Sequence, residues 1–564
     1  MLFEYYGFDS LKITFATMQL SFIKFLSLLF LSALIMGLSF PFSGSIFIFS
    51  FIGLIPLFLF NTELNDNKVK FKGLKRFLGN YTFFFTYNVF VTWWIYNASP
   101  EGGYMAFFFN SLLMVLPFHL YAFIDKHLGK TKGFVAFITL WLSFEHIDHV
   151  WDLSWPWISF GNIFGNQPML IQWYEYSGIA GGTLWILLAN LFGFMIVRNV
   201  WFKKEKLRLQ TPLLTLVGLT ILLPMVSSLI LFYNYEEKID PVNVVIVQPN
   251  IHPWVKDTNE PGEKWTMPEV TQINKILTLA DSKITDQTDL VICPETAITS
   301  NVNEESIDYL GAVIKIKNFS STHFNVPFLI GSSTHNKFTT SRPYPAQHVG
   351  EFWYENYNTS LLIDANNPID IYHKSKLVLG PEKLPFVDIF PFIAELSVDL
   401  EGTSSGLTEN GKAQLFEAKG VRFAPLICYE SVYGEFVSNF TAIGAEFLCV
   451  ITNDGWWHDS PGYKQHNMLS QIRAIENRRS VARSANTGIS CIINQKGEIQ
   501  ERLDWDVEGV ISSTLNKNNS VTFFMKYGDL IGRVSIFMVL GLLLYSLVTL
   551  LKFRKSKPSE TLID

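Results

Sequence analysis

The chain has 564 residues, 49% of them hydrophobic and only 17% charged, with 50 phenylalanines and a net charge of −6. So little charge beside a positive mean hydropathy of +0.22 excludes an ordinary soluble globular protein and points to the membrane. The net negative charge gives no basic footprint for nucleic acid.

Apolar residues crowd into positions 1–235 and again near 530–551. Between them lie about 290 residues of ordinary globular composition, enough for one large domain. A membrane span needs about 20 mainly apolar residues. By that measure spans are predicted near 20–38, 43–60, 80–97, 104–123, 132–147, 177–198, 212–232 and 529–551. The first does not read as a cleaved signal, because no small-residue cleavage site follows and the second span begins at once. The loops set the orientation. Lys68, Lys70, Lys72, Lys75 and Arg76 follow the second span, and Lys126, Lys130 and Lys132 the fourth. Arg198, Lys203, Lys204, Lys206 and Arg208 follow the sixth, and Lys552, Arg554, Lys555 and Lys557 lie in the tail. The alternate loops lack such clusters, so the positive-inside rule puts residues 236–528 outside and both termini in the cytoplasm. The fifth span is the weakest, because Glu145, His146 and His149 crowd its end. The loop after it, WDLSWPWISFGN at 151–162, is expected either at the membrane interface, where Trp is favoured, or folded back to shape a lipid-access groove. Glu175, at the mouth of the sixth span, suits either role.

From Val242 the pattern changes to short apolar runs closed by Pro, Asn or Gly. Strands are predicted at 242–248, 290–293, 327–331, 360–364, 422–428, 447–452, 489–494 and 510–514, and helices at 270–279, 305–316 and 465–482. Fully apolar strands alternating with helices argue an α/β domain covered on both faces. Cys293, Cys428, Cys449 and Cys491 all fall in apolar runs, with the spacing of neither a zinc site nor a disulfide framework.

Three places could carry chemistry. Glu295 follows the strand LVICP, Lys374 sits in YHKSKLVLGPEKLPF with Glu382 eight residues on, and Cys428 ends the strand APLIC. Singly these read as a turn carboxylate, a solvated lysine and a core thiol. Together they supply what thiol acyl transfer needs, at the strand ends where α/β domains gather their sites. A thiol is a weak nucleophile until it loses its proton. A buried carboxylate can take that proton. An ammonium, with the backbone N–H after the nucleophile, can stabilise the oxyanion. The other three cysteines have apolar neighbours and no such set.

The pairs Pro294-Glu295 and His373-Lys374 and the run Ile427-Cys428-Tyr429-Glu430 resemble, in order and spacing, the Glu-Lys-Cys triad of the nitrilase superfamily. With membrane spans on both sides, the chain resembles the apolipoprotein N-acyltransferase family. The likeness takes in the FGN-containing loop, QWYEYSG, Tyr357-Asn358-Thr359, Gly380-Pro381-Glu382, Ile451 to Trp456, Gln465-His466 and Arg473-Ala474-Ile475-Glu476. It implies a multi-span α-helical membrane domain of about eight spans, seven of them in 1–235 and the last at 529–551. An α/β nitrilase-like α-β-β-α sandwich at 236–528 would lie on the outer face, and a basic cytoplasmic tail at 552–564.

The resemblance further implies Glu295 as general base, Lys374 as oxyanion-stabilising cation and Cys428 as nucleophile. Glu382, Tyr429 and Glu430 would support them. Trp265, Asn358, Pro385, Asn453, Trp456 and Trp457 would contact substrate, the last two from a lid. The implied reaction passes an acyl chain from a membrane phospholipid, through a Cys428 thioester, to the α-amine of the S-diacylglyceryl cysteine of an apolipoprotein. It would run at the periplasmic side of a bacterial inner membrane with no metal or soluble cofactor. Two positions depart from the family pattern: Cys293 stands where Trp is common, and Trp456-Trp457 replaces Trp-Phe. A membrane-tethered amidase acting on a small amide or nitrile is the nearest rival, and a non-catalytic lipid-binding scaffold is a second.

Overall fold

A computed structural model describes residues 22–555, apart from 256–257, 259, 388 and 391–405. Among the described residues six helices are long and apolar enough to cross a membrane: Phe22–Ser39, Phe47–Asp66, Pro100–Leu128, Tyr174–Phe202, Leu207–Asn234 and Leu530–Lys552. The third and fifth expected spans are helices too, Lys72–Thr92 and Lys130–Asp148, but they are less apolar than the six. Their polar side chains turn inward. Asn61 donates to Asn80 Oδ1 at 2.7 Å, and Asn110 donates to Asn88 Oδ1 at 2.9 Å. Glu145 accepts from Trp141 Nε1 at 2.9 Å, from the Phe160 amide at 3.0 Å and from the Thr183 hydroxyl at 2.6 Å. A bilayer offers no water to a polar group, so such residues must find partners inside the bundle. Of the residues that weaken the fifth span in sequence, Glu145 fastens the following loop to it through the Phe160 amide, and His146 meets Asp529 Oδ2 at 2.7 Å. The tail beyond Lys555 and the first two residues of the expected first span lie outside the described residues.

The Trp-rich loop packs in part against the α/β domain. Trp157 is 1% exposed, stacks on Trp155 with centroids 5.8 Å apart, and donates from Nε1 to Gln465 Oε1 at 2.8 Å. Both indoles lie against the ring of Tyr429, the residue after Cys428.

The α/β domain is two sheets packed face to face. The first, eight-stranded, runs Gly509–Asn516, Pro241–Gln248, Leu290–Ile292, Phe328–Phe338, Phe352–Ile363, Gln347–Val349, with Ile298–Asn303 on the fourth strand and Asp370–His373 on the fifth. The second, six-stranded, runs Ile499–Leu503, Ser490–Ile493, Val481–Ala485, Phe447–Thr452, Val421–Ile427, Phe416–Ala418. Alternation along Pro241–Gln248 feeds two cores. Val244 and Ile246 face the second sheet, while Val245 and Val247 meet the helices Glu269–Asp281 and Gly311–Thr322. The helix Pro461–Asn477 covers the second sheet's other face and seats it on the membrane helices through Met468, Leu469 and Ile472.

Several boundaries differ from the sequence expectation. The strands expected at 327–331 and 360–364 continue as a long antiparallel pair, from Phe328↔Ile363 to Phe338↔Trp353, whose outer halves mix polar residues with aromatics and lack a long apolar run. The helix expected to reach 482 stops at Asn477, where Arg478 turns left-handed (φ +47). The next element is the central strand Val481–Ala485, concealed in sequence by its buried Arg483 and Ser484. Arg478 spends its charge on the membrane domain, donating to Glu175 Oε2 and Gln172 Oε1, each at 2.6 Å.

Candidate active site

The strand Val421–Ile427 lies between Phe447–Thr452 and the short edge strand Phe416–Ala418, and its last five residues are buried. Cys428 ends it with φ +49, left-handed backbone that costs a non-glycine residue about 1–2 kcal/mol. The chain then turns through a short 3₁₀ segment, Cys428–Val432. Glu430 in that turn is fully buried. Its Oε2 accepts from the Ile427 amide at 2.8 Å, and its Oε1 accepts from the Ser375 amide and the Tyr372 hydroxyl, each at 2.6 Å. One carboxylate thus ties the turn after Cys428 to the segment after Lys374. Burial pushes Glu430 up to about 7, against the three donors that pull it down. Glu430→Gln puts an NH₂ group among those donors. It is expected to lower stability by about 1–3 kcal/mol, the cost of leaving buried donors unpaired. Thermal melting tests this, and an unchanged midpoint would refute the strut.

Glu295 follows the strand Leu290–Ile292 and is 4% exposed. Its Oε1 accepts from Asn358 Nδ2 at 2.8 Å and Lys374 Nζ at 3.2 Å, and its Oε2 from the Asn453 amide at 2.9 Å. The backbone here leaves no room for a side chain opposite, since a Cβ on Gly331 would stand 2.4 Å from the Thr296 nitrogen and 2.6 Å from Glu295 Cα. Lys264, also buried, donates to the Thr296 carbonyl at 2.8 Å. Burial lowers this lysine to about 8 against the pull of Glu295.

Lys374 is 1% exposed and donates to Glu382 Oε1 at 2.8 Å as well as to Glu295. Burial works against its ammonium, but Glu295, Glu382 and Cys428 outweigh burial and hold its pKa above the usual lysine value. The Cys428 thiol is raised as well: burial and the neighbouring Glu295 push it well above the usual thiol range, and Lys374 only partly offsets them. Glu295 is the carboxylate that acts most strongly on this thiol.

A family model described as "Apolipoprotein N-acyltransferase N-terminal domain" matches residues 32–192, and "Carbon-nitrogen hydrolase" matches residues 244–521. The chain belongs to the apolipoprotein N-acyltransferase family. It is 28% identical over 518 residues to the apolipoprotein N-acyltransferase of Chlorobaculum tepidum, covering 89% of this chain and 93% of that protein. The likeness to the apolipoprotein N-acyltransferase of Borreliella burgdorferi is 24% over 530 residues, covering 92% and 93%. That of Bdellovibrio bacteriovorus is 26% identical over 534 residues, covering 91% and 92%.

The remaining residues expected from the N-acyltransferase likeness fall into separate groups. Asn358 bridges the carboxylates, donating to Glu382 Oε1 at 3.1 Å as well as to Glu295. Among the described residues Asn358 Oδ1 and Asn453 Nδ2 are buried without partners. Trp456 stands between Trp254 at 5.5 Å and Trp265 at 6.2 Å. Trp457 points elsewhere, against Trp94 at 4.9 Å and Trp157 at 5.7 Å in the junction with the membrane domain. Pro385 is half-buried in the turn after Glu382, whose neighbours Lys383 and Phe386 donate to Asp152 of the Trp-rich loop. Lys376, the nearest alternative lysine, sits over the rings of Tyr433 and Phe436. Cys293 is fully buried in the core beneath the outer helices.

Sequence reasoning gave no role to Lys264, Asp454, His466 or Arg483, all at most 3% exposed. Asp454 and His466 lie in stretches that carry the family resemblance, which is the signal the sequence offered, whereas Lys264 and Arg483 look in sequence like surface charges.

Proposed function

We propose that this acyltransferase works by a Glu295-Lys374-Cys428 triad in two half-reactions. The observation that carries the reading is Lys374, whose buried ammonium is held between Glu295 and Glu382 beside the strained, buried Cys428. In the first half, Glu295 takes the thiol proton as sulfur attacks the ester carbonyl of a phospholipid acyl chain. Lys374 and the Tyr429 amide meet the oxyanion. The ester C–O bond breaks, Glu295 returns the proton to the departing lysophospholipid hydroxyl, and the acyl chain stays on Cys428. In the second half, the free α-amine of an S-diacylglyceryl cysteine attacks the thioester. Its proton passes through Glu295 to the leaving thiolate, and an N-acylated lipoprotein departs. Asn358 Oδ1 and Asn453 Nδ2 leave one acceptor and one donor for the substrates.

The membrane domain suits this chemistry, because both substrates are lipid-anchored and buried chains keep water from the thioester. The positive-inside pattern supports a periplasmic site in the inner membrane. The match of residues 32–192 to the N-acyltransferase membrane domain favours acyl transfer over the amidase alternative. In nanodiscs holding a defined phospholipid, the full-length protein is expected to add one acyl mass to a synthetic diacyl lipopeptide. Ammonia release from small amides without acyl transfer would replace this reading with the amidase.

A further inference from the structure

The helix Pro461–Asn477 brings a buried cluster to the back of the Cys428 turn that the proposed triad does not use. His466 is fully buried, with Nε2 3.1 Å from the Cys428 carbonyl oxygen and 3.0 Å from Ser431 Oγ. Ser431 itself donates to the Cys428 carbonyl at 2.8 Å. Behind the ring, Nδ1 is 2.8 Å from Asp454 Oδ1. Arg483 Nη2 bridges Asp454 Oδ2 at 2.7 Å and His466 Nδ1 at 3.0 Å. Burial and Arg483 pull the imidazole pKa down, while Asp454 and the bond to the Cys428 carbonyl pull it up. Asp454 Oδ1 and the Cys428 carbonyl are both acceptors, so the ring meets them as a donor, from Nδ1 and Nε2 respectively, with Asp454 as its counter-ion. Trp157 and Trp457 close the ring in at 5.6 and 5.7 Å. The preceding residue, Gln465, accepts from Trp94 Nε1 at 3.2 Å and Trp157 Nε1 at 2.8 Å, so this helical turn is anchored in the membrane domain.

The Cys428 carbonyl matters because a trans peptide unit is planar, and its C=O and the following N–H point in opposite directions. Holding the Cys428 oxygen therefore aims the Tyr429 N–H. Tyr429 is the second residue of the 3₁₀ turn, where an amide has no acceptor within the turn. A donor fixed before charge develops stabilises an oxyanion better than one that must reorient.

The geometry points to His466 as a positioning residue for acyl transfer: with Ser431 it clamps the Cys428 carbonyl so that the Tyr429 amide is presented to the oxyanion of the tetrahedral intermediate. The inference rests on Cys428 being the nucleophile, and His466 itself touches no substrate.

The test compares two reactions of Cys428 in the full-length protein in phospholipid nanodiscs. One is acylation by lipid, read by intact mass in a single turnover. The other is alkylation by iodoacetamide, a displacement at saturated carbon that uses the thiolate but forms no oxyanion. His466→Ala is expected to slow acylation about 30- to 100-fold, somewhat less than the ~10²–10³ for deleting an oxyanion donor. Alkylation should stay within about threefold of wild type, since the thiol and its base are untouched. His466→Gln restores a donor near Nε2 and should recover about tenfold of the loss. Should the alanine variant fail to fold, Ser431→Ala and His466→Gln make the same comparison. Parallel loss of both reactions, or loss of neither, overturns the clamp. If wild type itself gains no acyl mass on Cys428, the triad reading fails and the clamp with it, an outcome distinct from either variant result.

Discussion

Cys428→Ala is expected to abolish acyl transfer, with turnover falling on the order of 10⁴–10⁶-fold, the scale seen when a catalytic nucleophile is deleted. Its intact mass should not rise on incubation with phospholipid. Cys428→Ser should fold but transfer poorly, because an alcohol gives up its proton far less readily than a thiol. Cys293, Cys449 and Cys491 are the controls. All three are fully buried, and burial raises each thiol, Cys491 to about 12. What separates Cys428 is its φ of +49 at a strand end and the Lys374–Glu295 pair beside it. Alanine at any of the other three should shift the melting temperature and leave turnover per folded molecule within about twofold, since a core methyl-sized deletion acts on packing. An acyl mass on the Cys428→Ala protein would move the nucleophile to another residue and sink the assignment.

How far the fold was legible in the sequence depends on how each feature stores its signal. Apolar strands such as Phe447–Thr452 declare themselves, because burial on both faces leaves an unbroken hydrophobic run. Val481–Ala485 is just as central, but Arg483 is spent on Asp454 inside the core and looks, in sequence, like a surface charge. Eight spans were predicted from apolarity, and among the described residues six helices carry it strongly. Lys72–Thr92 and Lys130–Asp148 carry Asn80, Asn88 and Glu145, whose inward hydrogen bonds lie far apart along the chain.

The site divides the same way. Glu295, Lys374 and Cys428 each end a strand or follow its end, a position that a hydrophobic run marks. The residues that hold them do not share that mark. Asn358 lies within a strand and Asn453 donates through its backbone. Glu430 works by gathering three donors that no spacing rule connects. Trp457 shows the limit most plainly. Next to Trp456 in sequence, it faces the membrane-domain indoles while Trp456 faces Trp265.

Lys374→Met should be the second most damaging change, and its effects on rate and on stability should separate. The side chain is 1% exposed and compensates two carboxylates, Glu295 at 3.2 Å and Glu382 at 2.8 Å. Removing the ammonium leaves those carboxylates joined only through Asn358 Nδ2, at 2.8 and 3.1 Å. Breaking a buried pair on one side typically costs about 3–5 kcal/mol, because the remaining charge stays buried without its partner. The same change removes an oxyanion donor, worth roughly 10²–10³ in rate. It also removes the cation that favours the thiolate, so acylation should fall by more than about 10³. Lys374→Arg offers no rescue, because at 1% exposure there is no room for a guanidinium. The double variant Lys374→Met/Glu382→Gln tells the two losses apart. Neutralising Glu382 relieves the uncompensated charge, so the melting temperature should recover much of its loss, a coupling expected of residues in contact. The acylation rate should not recover, because neither methionine nor glutamine restores a cation where the oxyanion forms. Recovery of both would mean that Lys374 serves the fold alone, and a single variant acylating at the wild-type rate would remove it from the triad.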